Sequence, residues 1–345
     1  MLALLNPEQQ MFEETANRLA RDLAVVNTAD LKTVDRANAY RQLAENGLLA
    51  LRMRIEGKPL ASGVEVSLAA QALGGALVPA PFSASGVLAV ELLALAGADE
   101  ALIQALSEGT KRCGLLLKRD LSALADVADA ESVVWDAEGA ELAIGLDRSK
   151  GEGQLALVKL DSGFETVEAA DLTRAMMKRT GAVSAEPVGS PLSDADMRKW
   201  LALALVTVSA DLVGVLNGAY AGVLAYTKER VQYGVKIGSF QAVQHLCAEM
   251  LVDIEGGRDI VSYAAWAVDE LDPDAALLAA REAKAFLSGI ARPVSETVMQ
   301  VYGGIGQTWE HIAHIYARRA QTDALVFGGA DVQRDAIADA LLGGH

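Results

Sequence analysis

Two segments of this chain carry residue types at a spacing that suits a phosphate-containing ligand. Glu229-Arg230-Val231-Gln232-Tyr233-Gly234 is followed at short range by Phe240-Gln241-Ala242-Val243-Gln244-His245. Arg230 brings a planar, permanently charged fork that meets a diphosphate with paired hydrogen bonds. Gln241, opening a helical pattern, offers a donor and an acceptor to an adenine or ribose edge. Further on, Gln300-Val301-Tyr302-Gly303-Gly304-Ile305-Gly306 sets Gly303 and Gly304 where backbone N–H groups approach a pyrophosphate without side-chain obstruction. The plainer readings are a surface arginine in an interhelical turn and an ordinary glycine helix stop.

Other chemistry is sparse. His311 and His314 lie about one helical turn apart, but Glu310 is the only carboxylate or thiol at ligand spacing, so no metal site is expected. Cys113 and Cys247 are far apart and form no paired motif, which reads as two buried, reduced thiols of a cytoplasmic protein. Arg318-Arg319 suits either a salt-bridged helix surface or a phosphate. Asp323 and Asp331 flank the loop Ala324 to Ala330 and are expected in solvated-loop or helix-cap roles.

These residues need elements to hold them. Asn6-Pro7-Glu8-Gln9 is a helix start, and helical spacing follows through Met11, Phe12, Ala16, Leu19 and Leu23. Further helices are expected from Asp35 to Glu45, with a left-handed stop at Asn46-Gly47, from Gly63 to Leu73, and from Ser83 to Ala96. Short apolar runs at 112–117, 132–135, 141–144 and 154–158 sit between Asp, Gly and Ser clusters, a strand-and-turn pattern. From Asp194 the pattern returns to long helices, over 196–230, 241–271 and 275–302. The expected units are a helical domain at 1–109, a small β domain at 110–190 and a helical bundle at 191–345.

The 345 residues are 52% hydrophobic but only 5% aromatic, which favours Ala- and Leu-rich helices. A net charge of −16 argues against a nucleic-acid surface, which needs a basic stripe. Met1 to Pro7 shows neither a basic region nor a long apolar run, so no signal peptide is expected. The apolar run Trp200 to Tyr226 is broken by Asp211, Asn217 and three glycines, and reads as the central helix of a bundle rather than a membrane span.

Taken with Thr308-Trp309-Glu310-His311 and Ala317-Arg318-Arg319-Ala320 in order, the two ligand segments resemble the signatures of the flavin-dependent acyl-CoA dehydrogenases. Gln307 departs from the aromatic usual at its place. The resemblance is specific from Asp196 to Leu342, fainter over 40–109, and positional only in the β domain. It implies an N-terminal helical domain, a middle β-barrel domain and a C-terminal four-helix bundle. It also implies FAD as cofactor, with Arg230, Tyr233, Gln241, Gln300, Gly303 and Gly304 holding the flavin of a neighbouring subunit.

What the family places in the flavin's own subunit is missing. The loop that usually reads aromatic-Glu-Gly-Thr is Val326-Phe327-Gly328-Gly329 here, so Gly328, or Phe327 in a shifted alignment, stands where the proton-abstracting Glu belongs. The family's alternative position for that Glu holds Leu205. No Thr-Glu-Pro-like flavin segment occurs between Arg112 and Gly153, where Lys118-Arg119-Asp120-Leu121 stands. No catalytic residue is therefore expected in this chain. The resemblance points to the subunit without the base in an α2β2 enzyme, like those that trim bacterial steroid side chains, with the acyl-CoA mainly in a homologous catalytic partner and an electron-transfer flavoprotein as acceptor. Two other readings stand beside it, a self-sufficient dehydrogenase with a relocated base and a structural paralogue without flavin.

Overall fold

The computed structural model describes residues 4–343. The first three residues of the stretch considered for a signal peptide, and His345, lie outside them. Five α-helices come first: α1 (Pro7–Asp22), α2 (Arg36–Glu45), α3 (Gly63–Gly75), α4 (Ala89–Leu95) and α5 (Glu100–Ser107). Asn6 and Gln9 close a reciprocal capping box on α1, Asp35 caps α2, and Gly47 adopts the left-handed stop after it. The expected helix at 83–96 begins at Phe82 as a π-helical stretch before becoming α4. A two-residue hairpin, β1 (Arg54–Ile55) with β2 (Lys58–Pro59), interrupts the otherwise helical first unit.

A seven-stranded sheet follows, formed by β3 (Cys113–Leu117), β4 (Val133–Trp135), β5 (Leu142–Leu146), β6 (Leu155–Lys159), β7 (Phe164–Val167), β8 (Met176–Arg179) and β9 (Ala185–Val188). Its order is β7-β8-β4-β3-β5-β6-β9, antiparallel except between β3 and β5. Burial explains which strands the sequence reveals. The inner strands β3 and β4 are fully buried and read as apolar runs, whereas β7, β8 and β9 are short, half-exposed and mixed in character. Pro187, which reads as a domain end, lies inside edge strand β9, where a missing N–H is tolerated.

The last third is α6 (Asp194–Glu229), α7 (Gln241–Glu270), α8 (Pro273–Tyr302), α9 (Ala313–Leu325) and α10 (Ala330–Leu342). Ser193 and Asp196 box the start of α6, and Asp272 caps α8. Length and composition would let α6 cross a membrane, yet 83% of its most apolar window is buried, so it is the axis of the bundle. It meets α3 at very close range. A methyl group at Gly214 or Gly218 would collide with the backbone carbonyl of Gln71 or Gly75. One apolar core runs from Ala16 to Phe327, and both cysteines are buried and unpaired.

Candidate functional site

Helix direction decides where the six candidate ligand residues fall. Between α6 and α7 lies a tight hairpin of β10 (Val231–Gln232) and β11 (Val235–Lys236), so α7 runs back along α6. A one-turn connection then reverses α8, leaving α6 and α8 parallel. Their last turns are pinned by Tyr226 and Tyr302, whose rings lie 5.0 Å apart. Arg230 at the end of α6, Gln241 at the start of α7, and Gln300, Gly303 and Gly304 at the end of α8 thus share one end of the bundle, with Tyr233 at the hairpin tip.

All six face outward. The Arg230, Gln241 and Gln300 side chains are exposed and make no hydrogen bond or ion pair among the described residues. Helix α7 starts at Phe240 without a side-chain cap, so its first N–H groups remain open to an acceptor. Gly303 has a φ of +65°, which requires a glycine-like conformation. At Gly304 an added Cβ would meet nothing within 4 Å, so nothing inside this chain demands a glycine there. Gln300 also lines a groove of about 490 Å³ between α8 and α9, beside Gln307 and Gln321. Tyr233 is 94% exposed in the left-handed region at φ +53°.

The loop where the resembled family usually carries its carboxylate, and where none is expected here, lies elsewhere, between sheet and helices, and it is filled. Phe327 is 2% exposed and meets the Trp135 and Trp200 rings edge-on, with centroids 6.2 and 5.6 Å away. Its N–H donates to the Leu121 carbonyl at 2.8 Å, so the Lys118–Leu121 loop closes directly over it. Gln333 donates from Nε2 to the Phe327 carbonyl at 2.6 Å. Both Phe327 and Gly328 have positive φ, 61° and 91°. The side chain this loop sends inward is Phe327. Leu205, the other position considered, is fully buried on α6.

Next to this aromatic plug sits a buried charge cluster. Arg319 on α9 forks onto Asp211 of α6, with Nε to Oδ2 at 2.9 Å and Nη2 to Oδ1 at 2.6 Å, and also donates to Thr173 and the Val78 carbonyl. Arg174, from the segment before β8, reaches Asp211 at 2.9 Å, Asp323 at 2.5 Å and Asp171 at 3.4 Å. Lys284 on α8 donates to the Asp323 and Ala324 carbonyls and to Ser288, finishing the C-terminus of α9. Burial would raise the Asp211 carboxyl, but Arg174 and Arg319 hold it below the usual carboxylate range. Asp323 goes the other way. Burial pushes it well above that range despite Arg174, and its Oδ2 has no hydrogen-bond partner. Burial likewise pushes Asp136 up to about 6.

This overturns the solvated role expected of Asp323, which is wholly buried. Asp331 is exposed in the first turn of α10 and pairs with Arg334. The Arg318-Arg319 pair divides, because Arg319 is buried against Asp211 while Arg318 lies over the Trp309 ring. His311 packs edge-on against Tyr302, and His314 stacks on Trp309. Sequence reasoning missed Arg174 and Lys284 altogether. A usable signal existed only for Asp211, a lone acid amid the apolar run of α6, which requires a buried cation.

Comparison with known proteins adds the following. The family model for the acyl-CoA dehydrogenase C-terminal domain matches residues 195–342. The chain is 30% identical over 323 residues to acyl-CoA dehydrogenase IpdE2 of Mycobacterium tuberculosis, covering 92% of both proteins. A shorter match, 40% over 128 residues, is to acyl-CoA dehydrogenase FadE34 of the same organism; it spans 37% of this chain and 18% of FadE34. Among solved structures, the Tcur3481-Tcur3483 steroid ACAD superposes with a TM-score of 0.81 at 24% identity over 98% of both chains. The ChsE4-ChsE5 complex from Mycobacterium tuberculosis gives 0.80 at 20% identity over 99% of both chains.

Proposed function

The chain belongs to the acyl-CoA dehydrogenase family, and we propose that within it this chain is a subunit without catalytic chemistry of its own, which completes the FAD site of a homologous partner. The observation that carries this reading is Phe327. The α-proton of a thioester is weakly acidic, and a positioned general base contributes typically 10²–10⁴-fold to its removal. The loop of this chain offers Phe327 and Gly328, neither of which takes a proton, and Phe327 is packed edge-on against Trp135 and Trp200.

The outward surface does suit a dinucleotide. Arg230 would pair with the diphosphate, and the backbone N–H groups around Gly303 and Gly304 would approach it. Gln241 and Gln300 would hydrogen-bond the adenosine end, with Tyr233 beside them. When bound, FAD supplies a hydride acceptor; the residues of this chain only hold and orient it, while the partner provides the base. The open Cβ space at Gly304 leaves room for an approaching phosphate. We place the partner's substrate among bulky acyl-CoA thioesters of the steroid side-chain type, the assembly as α2β2, and the acceptor as an electron-transfer flavoprotein. A relocated base is disfavoured because Asp323, one of the two acids flanking the loop, is wholly buried against Arg174.

Arg230→Ala tests the reading. Loss of a charge-assisted contact of about 1.5–3 kcal/mol weakens FAD binding roughly 10- to 150-fold. Flavin released by acid from the co-expressed complex should fall from about one per pair toward none, and unchanged flavin would refute the role in trans. Restoring an acid at the loop should fail to create an enzyme. In Gly328→Glu the new Cβ would lie 2.8 Å from Val332 Cγ1 at a φ of +91°, so the loop must distort. The expected result is a less stable chain with no acyl-CoA-dependent bleaching of FAD; bleaching by the chain alone would contradict the closed cleft.

A further inference from the structure

Where sheet and bundle close upon each other, the buried charges do not balance. Arg174 and Arg319 face four buried carboxyls, those of Asp136, Asp171, Asp211 and Asp323. Lys284 adds a third cation, but it donates to the Asp323 and Ala324 carbonyls and to Ser288 rather than to a carboxylate. Asp211 is well supplied, since the two arginines bring three nitrogens to within 2.6–2.9 Å of it. Asp171 accepts from the Thr173 N–H at 2.8 Å and from its hydroxyl at 2.7 Å. Asp136 accepts from the Ala84 N–H at 3.1 Å and has one orphaned oxygen. Asp323 has another, because Arg174 reaches its Oδ1 at 2.5 Å while its Oδ2 meets no donor among the described residues.

What sets Asp323 apart is its neighbour. Arg174 takes Asp323 with Nη1 and Asp211 with Nη2, which lays the two carboxyls side by side on one guanidinium. They are also within hydrogen-bond reach of each other. Two ionised carboxylates cannot form that bond, since each only accepts. We infer that one proton is shared by this pair, carried on Asp323 Oδ2 and donated to Asp211, and that it latches α9 to α6 against the sheet. That proton gives the orphaned Oδ2 a partner and leaves Asp171 and Asp211 as the anions that answer the two guanidinium groups. The titration behaviour has the matching sign. Burial and the neighbouring Asp211 push Asp323 up against the pull of Arg174. Burial would raise Asp211 too, but Arg174 and Arg319 hold it down. Burial also lowers Lys284 to about 7, so rising pH removes a charge that favours ionised Asp323. Asp323 lies in the last turn of α9, at the root of the loop that carries Phe327. Loss of the proton sets two carboxylates against each other at that root.

Infrared spectra of the full chain at neutral pH test this directly. They should contain the carbonyl stretch of an un-ionised carboxyl, shifted by isotope-labelled aspartate, retained in Asp136→Asn and lost in Asp323→Asn. A parent spectrum without that band overturns the shared proton. Asp211→Asn separates sharing from simple burial. With Asp211 neutral the two arginines have lost their common anion, so Asp323 should ionise and the band should vanish. A band that persists in Asp211→Asn means that burial alone protonates Asp323, and overturns the pair. If Asp211→Asn does not fold, the pH dependence of stability decides. The proton favours folding fully below the ordinary carboxylate pKa, and the contribution is lost as pH rises through the raised one. Between those limits the folding constant of the parent, relative to Asp323→Asn, should fall about tenfold per pH unit. Parallel profiles overturn the pair. For the latch, amide exchange of residues 324–329, corrected for its intrinsic pH dependence, should accelerate in the parent where the band disappears, and not in Asp323→Asn. Unchanged protection after loss of the band overturns the latch.

Discussion

Arg174→Met is expected to destabilise the fold by about 3–5 kcal/mol, the range for breaking one side of a buried ion pair. Arg174 touches Asp171, Asp211 and Asp323, and every side chain in that set is at most 3% exposed. Without the guanidinium, carboxylates on α6 and in the segment before β8 keep their desolvation cost and lose part of their compensation, Arg319 alone remaining on Asp211. Since domains typically have only 5–15 kcal/mol of net stability, urea unfolding followed by circular dichroism should show a large drop in midpoint. A shift below about 1 kcal/mol would mean that the cluster is not a structural tie.

A companion change sharpens the point. Asp323→Asn should cost far less than Arg174→Met. Burial raises the Asp323 carboxyl well above the usual carboxylate range and so favours its neutral form, which an amide matches in shape and in having one acceptor and one donor end. Equal losses in the two variants would show that Asp323 is ionised and that its charge is part of the tie. The sign follows from the direction of the shift: a carboxyl raised in the folded state favours folding at low pH, and that contribution fades as pH rises.

Phe327→Ala is the second large effect, at about 3–5 kcal/mol for a buried Phe truncated in a packed core. The ring lies between Trp135 of the sheet and Trp200 of α6, so its loss leaves an aromatic-lined void where sheet and bundle meet. Trp emission should change, and indole or benzene should raise the melting temperature of the variant but not of the parent, because apolar cavities stay dry and accept apolar guests. A near-neutral substitution with unaltered emission would show that Phe327 does not plug the cleft, removing the main support for a chain without its own site.

Much of the fold is legible in the sequence because it is written locally. Asn6, Asp35, Ser193 and Asp272 cap the helices they introduce, and Gly47 ends one. Those signals act within a few residues of themselves. The six outward residues proposed to hold a ligand are legible for a related reason. They sit in two compact segments whose residue types announce a phosphate ligand without reference to the rest of the chain. The absence of a base at Phe327 and Gly328 is equally readable, since a side chain that carries no ionisable group carries none in any fold.

Only the tertiary structure decided what fills the loop at Phe327 and where the candidate ligand segments stand. Asp323 reads as a loop acid, and becomes a buried partner of Arg174, a residue far away in sequence, because sheet and bundle close upon each other there. Arg318 and Arg319 are neighbours in sequence, yet one meets Asp211 in the core and the other a surface tryptophan, since adjacent helical residues face different sides. Arg230 and Gln300 share one end of the bundle only because two successive reversals make α6 and α8 parallel. Burial, charge compensation and helix direction are properties of the whole packing arrangement, and no short segment contains them.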